Sequence, residues 1–314
     1  MADEASSTIP APRTHRARGI GYMLLASLVI SLNDAASKWM TASYPPGEIL
    51  FVRSLSLIAV ILLSALPTRN FRALWPVNVK AHLPRAGFYL GSSILFLMSL
   101  KLLALPVAVA ISLASPLIVT AFAGAMLEET VDWRHWTAVV AGLVGVLLVT
   151  NPFDSEWGWG VVVAIAASLC IALKDIATRK LTSIESTSSI MLFSVLLLAA
   201  AGLCTAPFGW TWPTNTHMVM FVFIGLTFGL AQLLTIQAYK TAEAAIVAPM
   251  QYSMLVWSML LGFAFWGDVP TVYSLLGSAA IVGSSAYILL TSGMPRAQQR
   301  SETKIRPQRR TLPP

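Results

Sequence analysis

Asp34, Lys38, Arg53, Lys174 and Asp175 are ionisable side chains set in stretches of sequence that are otherwise apolar. A charge at the centre of a bilayer costs about 2.5–3.5 kcal/mol on insertion scales, so a chain that keeps such groups pairs them or uses them. Asp34 and Arg53 stand at comparable distances from the break Tyr44-Pro45-Pro46-Gly47, which places them at similar depth and predicts that they pair. Lys38, one helical turn after Asp34, is a competing partner. An arginine so placed grips a carboxylate or phosphate through its fork of donors, or it simply neutralises the aspartate. Asp34 is also a candidate to carry a coupled proton, against which a neighbouring cation acts. Asp175 stands beside Lys174 and four residues before Arg179, an ordinary helical pairing.

The elements that hold these residues follow from composition. Of 314 residues, 56% are hydrophobic and only 11% are charged, where a soluble domain carries about 25%. Disordered, collagen-like and low-complexity classes fail for the same reason. A helix crosses a hydrocarbon core of about 30 Å with about 20 residues. Runs of that kind lie near residues 19–40, 47–66, 84–102, 104–127, 135–151, 158–178, 188–208, 217–239, 243–266 and 271–291. The expected fold class is therefore an all-α membrane protein with ten transmembrane helices. Turn residues separate most spans, at Pro67 to Asn70, Asn151-Pro152, Gly209 to Asn215 and Gly267 to Pro270, while only Lys101 and Pro106 mark the joint between the third and fourth. Cys170 and Cys204 both fall inside apolar runs and read as small core residues, not as a disulfide or metal pair.

A net charge of +7 raises the question of nucleic acid, and the placement of the charges answers it. Apart from Lys38, Lys101 and the intramembrane Arg53 and Lys174, the cations fall in the tails and in the loops on one side. Cation-rich short loops stay in the cytoplasm, so both termini are expected there, with the chain in the inner membrane and the lipid bilayer, not nucleic acid, as its surroundings. Residues 1–18, rich in Ala, Pro, Ser and Arg, read as a disordered cytoplasmic tail rather than a signal peptide, and residues 293–314 as a basic cytoplasmic tail.

The chain also repeats itself. Residues 30–41 read ISLNDAASKWMT and residues 171–182 read IALKDIATRKLT, so Asp175 is the repeat mate of Asp34 and Ser194 occupies the position of Arg53. Lys101 with LLALPVAVAI resembles Lys240 with TAEAAIVAP, and Gly145 corresponds to a position near Gly283. Two units, residues 19–153 and 158–292, each hold five spans. An odd number of spans gives sequential copies opposite orientations, which predicts two inverted five-helix repeats, the architecture in which a midplane site can open to either side.

The order of these segments resembles the drug/metabolite transporter superfamily, in its EamA-like ten-helix branch. The resemblance covers residues 19–292 and is carried by NDAASKW, PGEILFVRS, KLLALPVAVAISLASPLIVTAFAGAMLEE, QAYKTAEAAIVAPMQYSMLVWSMLLGFAFWGDVP and LLGSAAIVGSSAYIL, with Asp268 where the family usually has a glutamate. It implies secondary active transport of a small organic metabolite, amino-acid-like, nucleotide-like or vitamin, by alternating access, around a cavity lined by spans one, three, four, six, eight and nine. The N-terminal half most resembles members named for S-adenosylmethionine or riboflavin. On this reading Asp34 and Arg53 gate the cavity or anchor the substrate, with Lys38 and Asp175 as related charges. Tyr89, Ser112, Gln232, Gln251, Tyr252 and Trp257 are expected to touch the substrate, and the plainer role of each is helix-to-helix hydrogen bonding. Pro116 and Pro249 are expected to bend the fourth and ninth spans. Gly142, Gly145, Gly225 and Gly229 are expected to be close-packing surfaces.

No catalytic, metal or cofactor site is expected. His15, His82, His135 and His217 lie in the tail or at span ends, and no H-E-x-x-H or Walker A pattern occurs. The alternative, a membrane-embedded enzyme acting on a lipid or isoprenoid, has only the loop cluster Glu128, Glu129 and Asp132 in its favour. Either a monomer or a homodimer fits the sequence.

Overall fold

The structure, a computed structural model, describes residues 13–65, 75–76, 78–126, 133–150, 158–181, 185–241 and 248–292. The expected tails at residues 1–12 and 293–314, the acidic loop Glu128, Glu129 and Asp132, and the Asn151-Pro152 turn lie outside the described residues, as do the side chains of Arg179 and Pro249.

The apolar runs are helices because a backbone in hydrocarbon must satisfy its own polar groups. They are α1 (Arg13–Met40), α2 (Pro46–Ala65), α3 (Val79–Leu102), α4 (Leu105–Ser112), α5 (Ser115–Met126), α6 (Trp133–Thr150), α7 (Trp159–Leu181), α8 (Thr187–Cys204), α9 (Asn215–Thr241), α10 (Ser253–Trp266) and α11 (Val272–Ser292). Among the described residues, α1, α2, α3, α7 and α9 are long and apolar enough to cross a membrane by themselves. The helix α1 starts at Arg13, inside the stretch read as tail.

Local chemistry fixes the ends. Pro46 opens α2, where its missing N–H costs nothing. The Asn78 side chain caps α3 on the N–H of Ala81, and Ser186 caps α8 on that of Ser189 at 3.1 Å. Gly267, with φ of 70°, closes α10 by donating to the Phe263 carbonyl at 3.0 Å, a conformation that needs the absent Cβ. The fourth span is broken: α4 stops at Ser112, a turn at Leu113-Ala114 intervenes, and α5 restarts at Ser115-Pro116. The ninth span, its repeat mate, enters α10 through a 3₁₀ turn over Ala248–Tyr252. Both proline-bearing spans thus depart from regular helix at corresponding places, a pairing typical of inverted-repeat membrane proteins.

The two halves pack through one another. With α1 matched to α7, α2 to α8, α3 to α9, α4–α5 to α10, and α6 to α11, the contacts come in exchanged pairs: α3 on α7 with α1 on α9, α2 on α9 with α3 on α8, and α1 on α10 with α4–α5 on α7. The remaining pairs, α2 with α8, α6 with α11 and α4 with α10, are their own mates and lie on the pseudo-twofold axis. Lipid tails are as apolar as leucine, so helices in a bilayer associate through close packing and hydrogen bonds. Glycine supplies the first: a Cβ on Gly145 would lie 2.7 Å from the Gly277 carbonyl oxygen, and one on Gly229 would lie 2.7 Å from the Val60 side chain. The repeat mate of Gly145, near Gly283, faces open space instead, so repeat equivalence and contact are different relations. Large apolar side chains on the outer faces, including Leu63, Val140, Leu226 and Phe263, are exposed, as lipid contact requires. Cys204, expected in the core, is among the exposed residues because α8 ends there at the bundle surface.

Candidate functional site

A row of polar residues runs along α1 and just past its end. Ser27, Ser31, Asn33, Asp34, Ser37 and Thr41 are all buried, so the helix turns a polar stripe toward the interior of the bundle. Asn33 donates through Nδ2 to the Ile224 carbonyl at 2.6 Å and to Thr227 Oγ1 at 3.1 Å, which ties α1 to α9. Asp34 is 3% exposed and Arg53, on α2, is 9% exposed. They face each other electrostatically, yet among the described residues they make neither an ion pair nor a hydrogen bond. The expected direct pair is thus not formed. Arg53 lies over the ring of Phe228, its guanidinium carbon 3.8 Å from the centroid, and its buried Nε has no hydrogen-bond partner among the described residues. The cause is helix packing: Gly225 and Gly229 bring α9 against Ser56 and Val60 of α2, and Phe228 between them is carried onto the guanidinium.

Lys38 has a different task. Its ammonium donates to the carbonyls of Leu100, at 2.9 Å, and Leu103, at the end of α3, and it stands 5.4 Å from the Trp266 ring centroid. A cation on the last carbonyls of a helix satisfies groups the helix cannot, and it complements the dipole. The Gly267 turn sets Asp268 where its charge acts on Lys38. Trp39, with Phe265 at 6.2 Å between ring centroids, lies at this same end of the bundle, called here the Trp39 end. Tyr44 closes it further, with a 2.9 Å hydrogen bond between its hydroxyl and His217 Nδ1 and an edge-on contact with Phe221.

At the opposite, His82 end, a second polar group gathers around a cavity of about 130 Å³ lined by Arg85, Tyr89, Lys174, Ser194 and Gln232, with Leu57, Met191 and Val195. Arg85 donates through Nε to Thr178 Oγ1 at 2.8 Å and through Nη1 to the Ile190 carbonyl at 3.0 Å and to Ser194 Oγ. Lys174 Nζ is 3.1 Å from Asp175 Oδ1, and the Asp175 side chain is 47% exposed. Nearer the start of α3, fully buried His82 stands with Nε2 3.3 Å from Glu185 Oε1, and that oxygen accepts from the Asn78 N–H at 2.8 Å. The two polar groups are separated by one apolar layer: Leu57 and Val195, which line the cavity, cluster with Phe228, which carries Arg53.

The structure thus brings some of the expected residues together and leaves others apart. Tyr89 and Gln232 share the cavity at the His82 end, with Asp175 at its edge on the Lys174 ammonium. Asp34 and Arg53 face each other across the layer from it. Lys38 is bound to α3, and Ser112 Oγ donates to the Val109 carbonyl at 2.8 Å, beside the break in the fourth span. Tyr252 is buried where α10 begins, Gln251 is exposed, and the buried Trp257 Nε1 has no hydrogen-bond partner among the described residues. Arg85 is the residue that sequence reasoning missed. At the edge of an apolar run that begins at residue 84 it reads as a cytoplasmic loop charge, but α3 starts at Val79 and carries it inside. Its partner Ser194 was the available signal: an uncharged residue at the repeat position of Arg53 leaves room for a cation from elsewhere.

Ten spans in two inverted halves, with polar groups at two depths between them, define a multi-pass membrane protein of the inverted-repeat class. The chain belongs to the EamA-like transporter family, whose model matches it twice, over residues 17–151 and 158–290. It is similar to a riboflavin transporter of Rhizobium johnstonii, 26% identical over 92% of this chain and 96% of that one. It is also similar to an S-adenosylmethionine uptake transporter of Rickettsia bellii, 23% identical over 86% and 93%, and to a riboflavin transporter of Vibrio cholerae, 25% identical over 87% and 93%. A solved crystal structure shares the fold, with a TM-score of 0.61 at 18% identity, covering 90% of this chain and 98% of its own.

Proposed function

We propose that the chain is a secondary transporter that moves a small organic metabolite, of the vitamin, nucleotide-like or amino-acid-like kind, across the inner membrane by alternating access. The observation that carries this reading is the pair of polar groups on pseudo-twofold-related helices, separated by the single layer of Leu57, Val195 and Phe228. Exchange of the two halves' conformations would move that layer's seal from one side of the polar interior to the other, which is what a carrier needs and an enzyme does not. In the arrangement described, Tyr44, His217 and Phe221 pack together at the Trp39 end, the cavity that holds Arg85 and Lys174 lies toward the His82 end, and the cation-rich loops at that end favour a cytoplasmic placement for it. Asp34 and Arg53 act as the gate on the Trp39 side of the layer.

The family match and the names of the relatives favour a carrier over the membrane-embedded enzyme, which neither supports. Solute counterflow in proteoliposomes tests the reading, with riboflavin, S-adenosylmethionine, amino acids and nucleotide-like metabolites as the panel. Saturable counterflow of one class, lost in Asp34→Asn or Arg53→Ala protein that is folded, is the expected result. Leak proportional to concentration, without saturation, would point to a channel. Counterflow unchanged in both variants would remove the gate. A coupled proton on Asp34 requires that uptake respond to collapse of the proton gradient, and indifference to it would refute that part.

A further inference from the structure

We infer that the cavity at the His82 end is a subsite for the anionic group, carboxylate or phosphate, of the transported solute, an inference that rests on the transport reading above and names its substrate chemistry. Arg85 is built into place. Its Nε and Nη1 are held by Thr178 on α7 and by Ile190 and Ser194 on α8, while Nη2 has no hydrogen-bond partner among the described residues and the side chain lines the cavity. Three anchoring bonds fix the plane of the guanidinium, so the remaining edge is presented without the entropy loss a mobile arginine would suffer.

Lys174 adds a second cation to the same cavity, against one carboxylate, Asp175, whose side chain is about half in solvent. Among the described residues, two cations face one partly exposed anion, a surplus of positive charge in a confined space that selects for a negative group and rejects a positive one. Tyr89 and Gln232 supply neutral polar contacts, and the cavity's size limits the rest. At about 130 Å³ it is well below the roughly 300–1,000 Å³ of pockets that hold whole small molecules, so it takes a head group while the body of the solute lies outside it. Arg53 does not compete for this role, since it is stacked on Phe228 across the apolar layer.

The test is the melting temperature of purified full-length chain in phosphatidylcholine nanodiscs, titrated with inorganic phosphate, with acetate and with neutral acetamide, at ionic strength matched with chloride. Saturable rises with phosphate or acetate and none with acetamide are expected, the two anion arms separating phosphate from carboxylate preference. Because Arg85 joins α3 to α7 and α8, its removal disturbs folding as well as binding, so Lys174→Gln carries the comparison. It should raise the half-saturating concentration about fivefold or more, while Asp175→Asn lowers it. No saturable response to either anion, or an identical response in Lys174→Gln protein, would overturn the subsite. So would a Lys174-dependent shift seen only when phosphatidylglycerol is added to the discs, since the occupant would then be a lipid head group. Failure of the two readings is distinguishable: saturable anion binding in protein that shows no counterflow of any solute defeats transport and keeps the anion site, whereas saturable counterflow without anion binding keeps transport and defeats the subsite.

Discussion

Arg53 lies over the ring of Phe228, its guanidinium carbon 3.8 Å from the centroid, and makes no ion pair with Asp34, the buried acid on α1 whose charge it feels. The cation is held near the carboxylate by packing and not by contact. On the proposed gating reading, the aspartate can therefore take up a partner without first breaking a bidentate bond.

Stacking of this kind has a testable magnitude. A desolvated cation–π contact contributes about 2 kcal/mol, so Phe228→Leu is expected to lower the melting temperature and reduce counterflow, and Phe228→Trp to retain both. Indistinguishable melting temperatures for the two variants would show that the contact contributes nothing.

Lys38 belongs to the scaffold. Replacing it by Met removes hydrogen bonds from a charged donor to the Leu100 and Leu103 carbonyls and should destabilise the protein by about 2 kcal/mol. The KM for counterflow should not move. A large rise in KM with an unchanged melting temperature would return Lys38 to the binding site.

Gly145 and Gly277 hold α6 against α11 at a separation that leaves no room for a side chain. Gly145→Ala is expected to cost about 1–3 kcal/mol through overpacking against backbone, whereas Gly283→Ala, which meets open space, should be neutral. Equal yields of folded protein from the two variants would contradict the close packing.

Asn33 joins α1 to α9 through two acceptors, the Ile224 carbonyl and Thr227 Oγ1. Interhelical hydrogen bonds in membranes average about 0.6 kcal/mol and reach about 1.7, so Asn33→Ala should produce a modest loss of stability, with Thr227→Val smaller still because the carbonyl bond remains. Thermal unfolding in nanodiscs measures both. A larger loss for Thr227→Val would mean that the carbonyl bond is not the principal one.

The spans, their order and the inverted duplication were legible in the chain because each is a property of local composition: apolar runs, turn residues between them, and two copies of one pattern. The glycine surfaces were legible as well, since small residues at helical spacing have few other uses in lipid. The candidate site was legible only in part. Asp34, Arg53, Tyr89 and Gln232 could be named as polar groups in apolar runs, but their partners come from helices far away in sequence, and span counting cannot say which side of a helix faces which neighbour.

What the sequence determined by itself is therefore the solvent of the chain, its ten crossings and its two-fold plan. The tertiary structure alone decided which cation does which task. It capped α3 with Lys38, stacked Arg53 on Phe228, and carried Arg85 from a position that read as loop into the place left by Ser194. The physical reason is that an ion in a membrane is satisfied by whichever groups the packing of neighbouring helices brings within about 3 Å, and that packing is settled by glycine contacts between the two halves rather than by the neighbours of each charge along the chain.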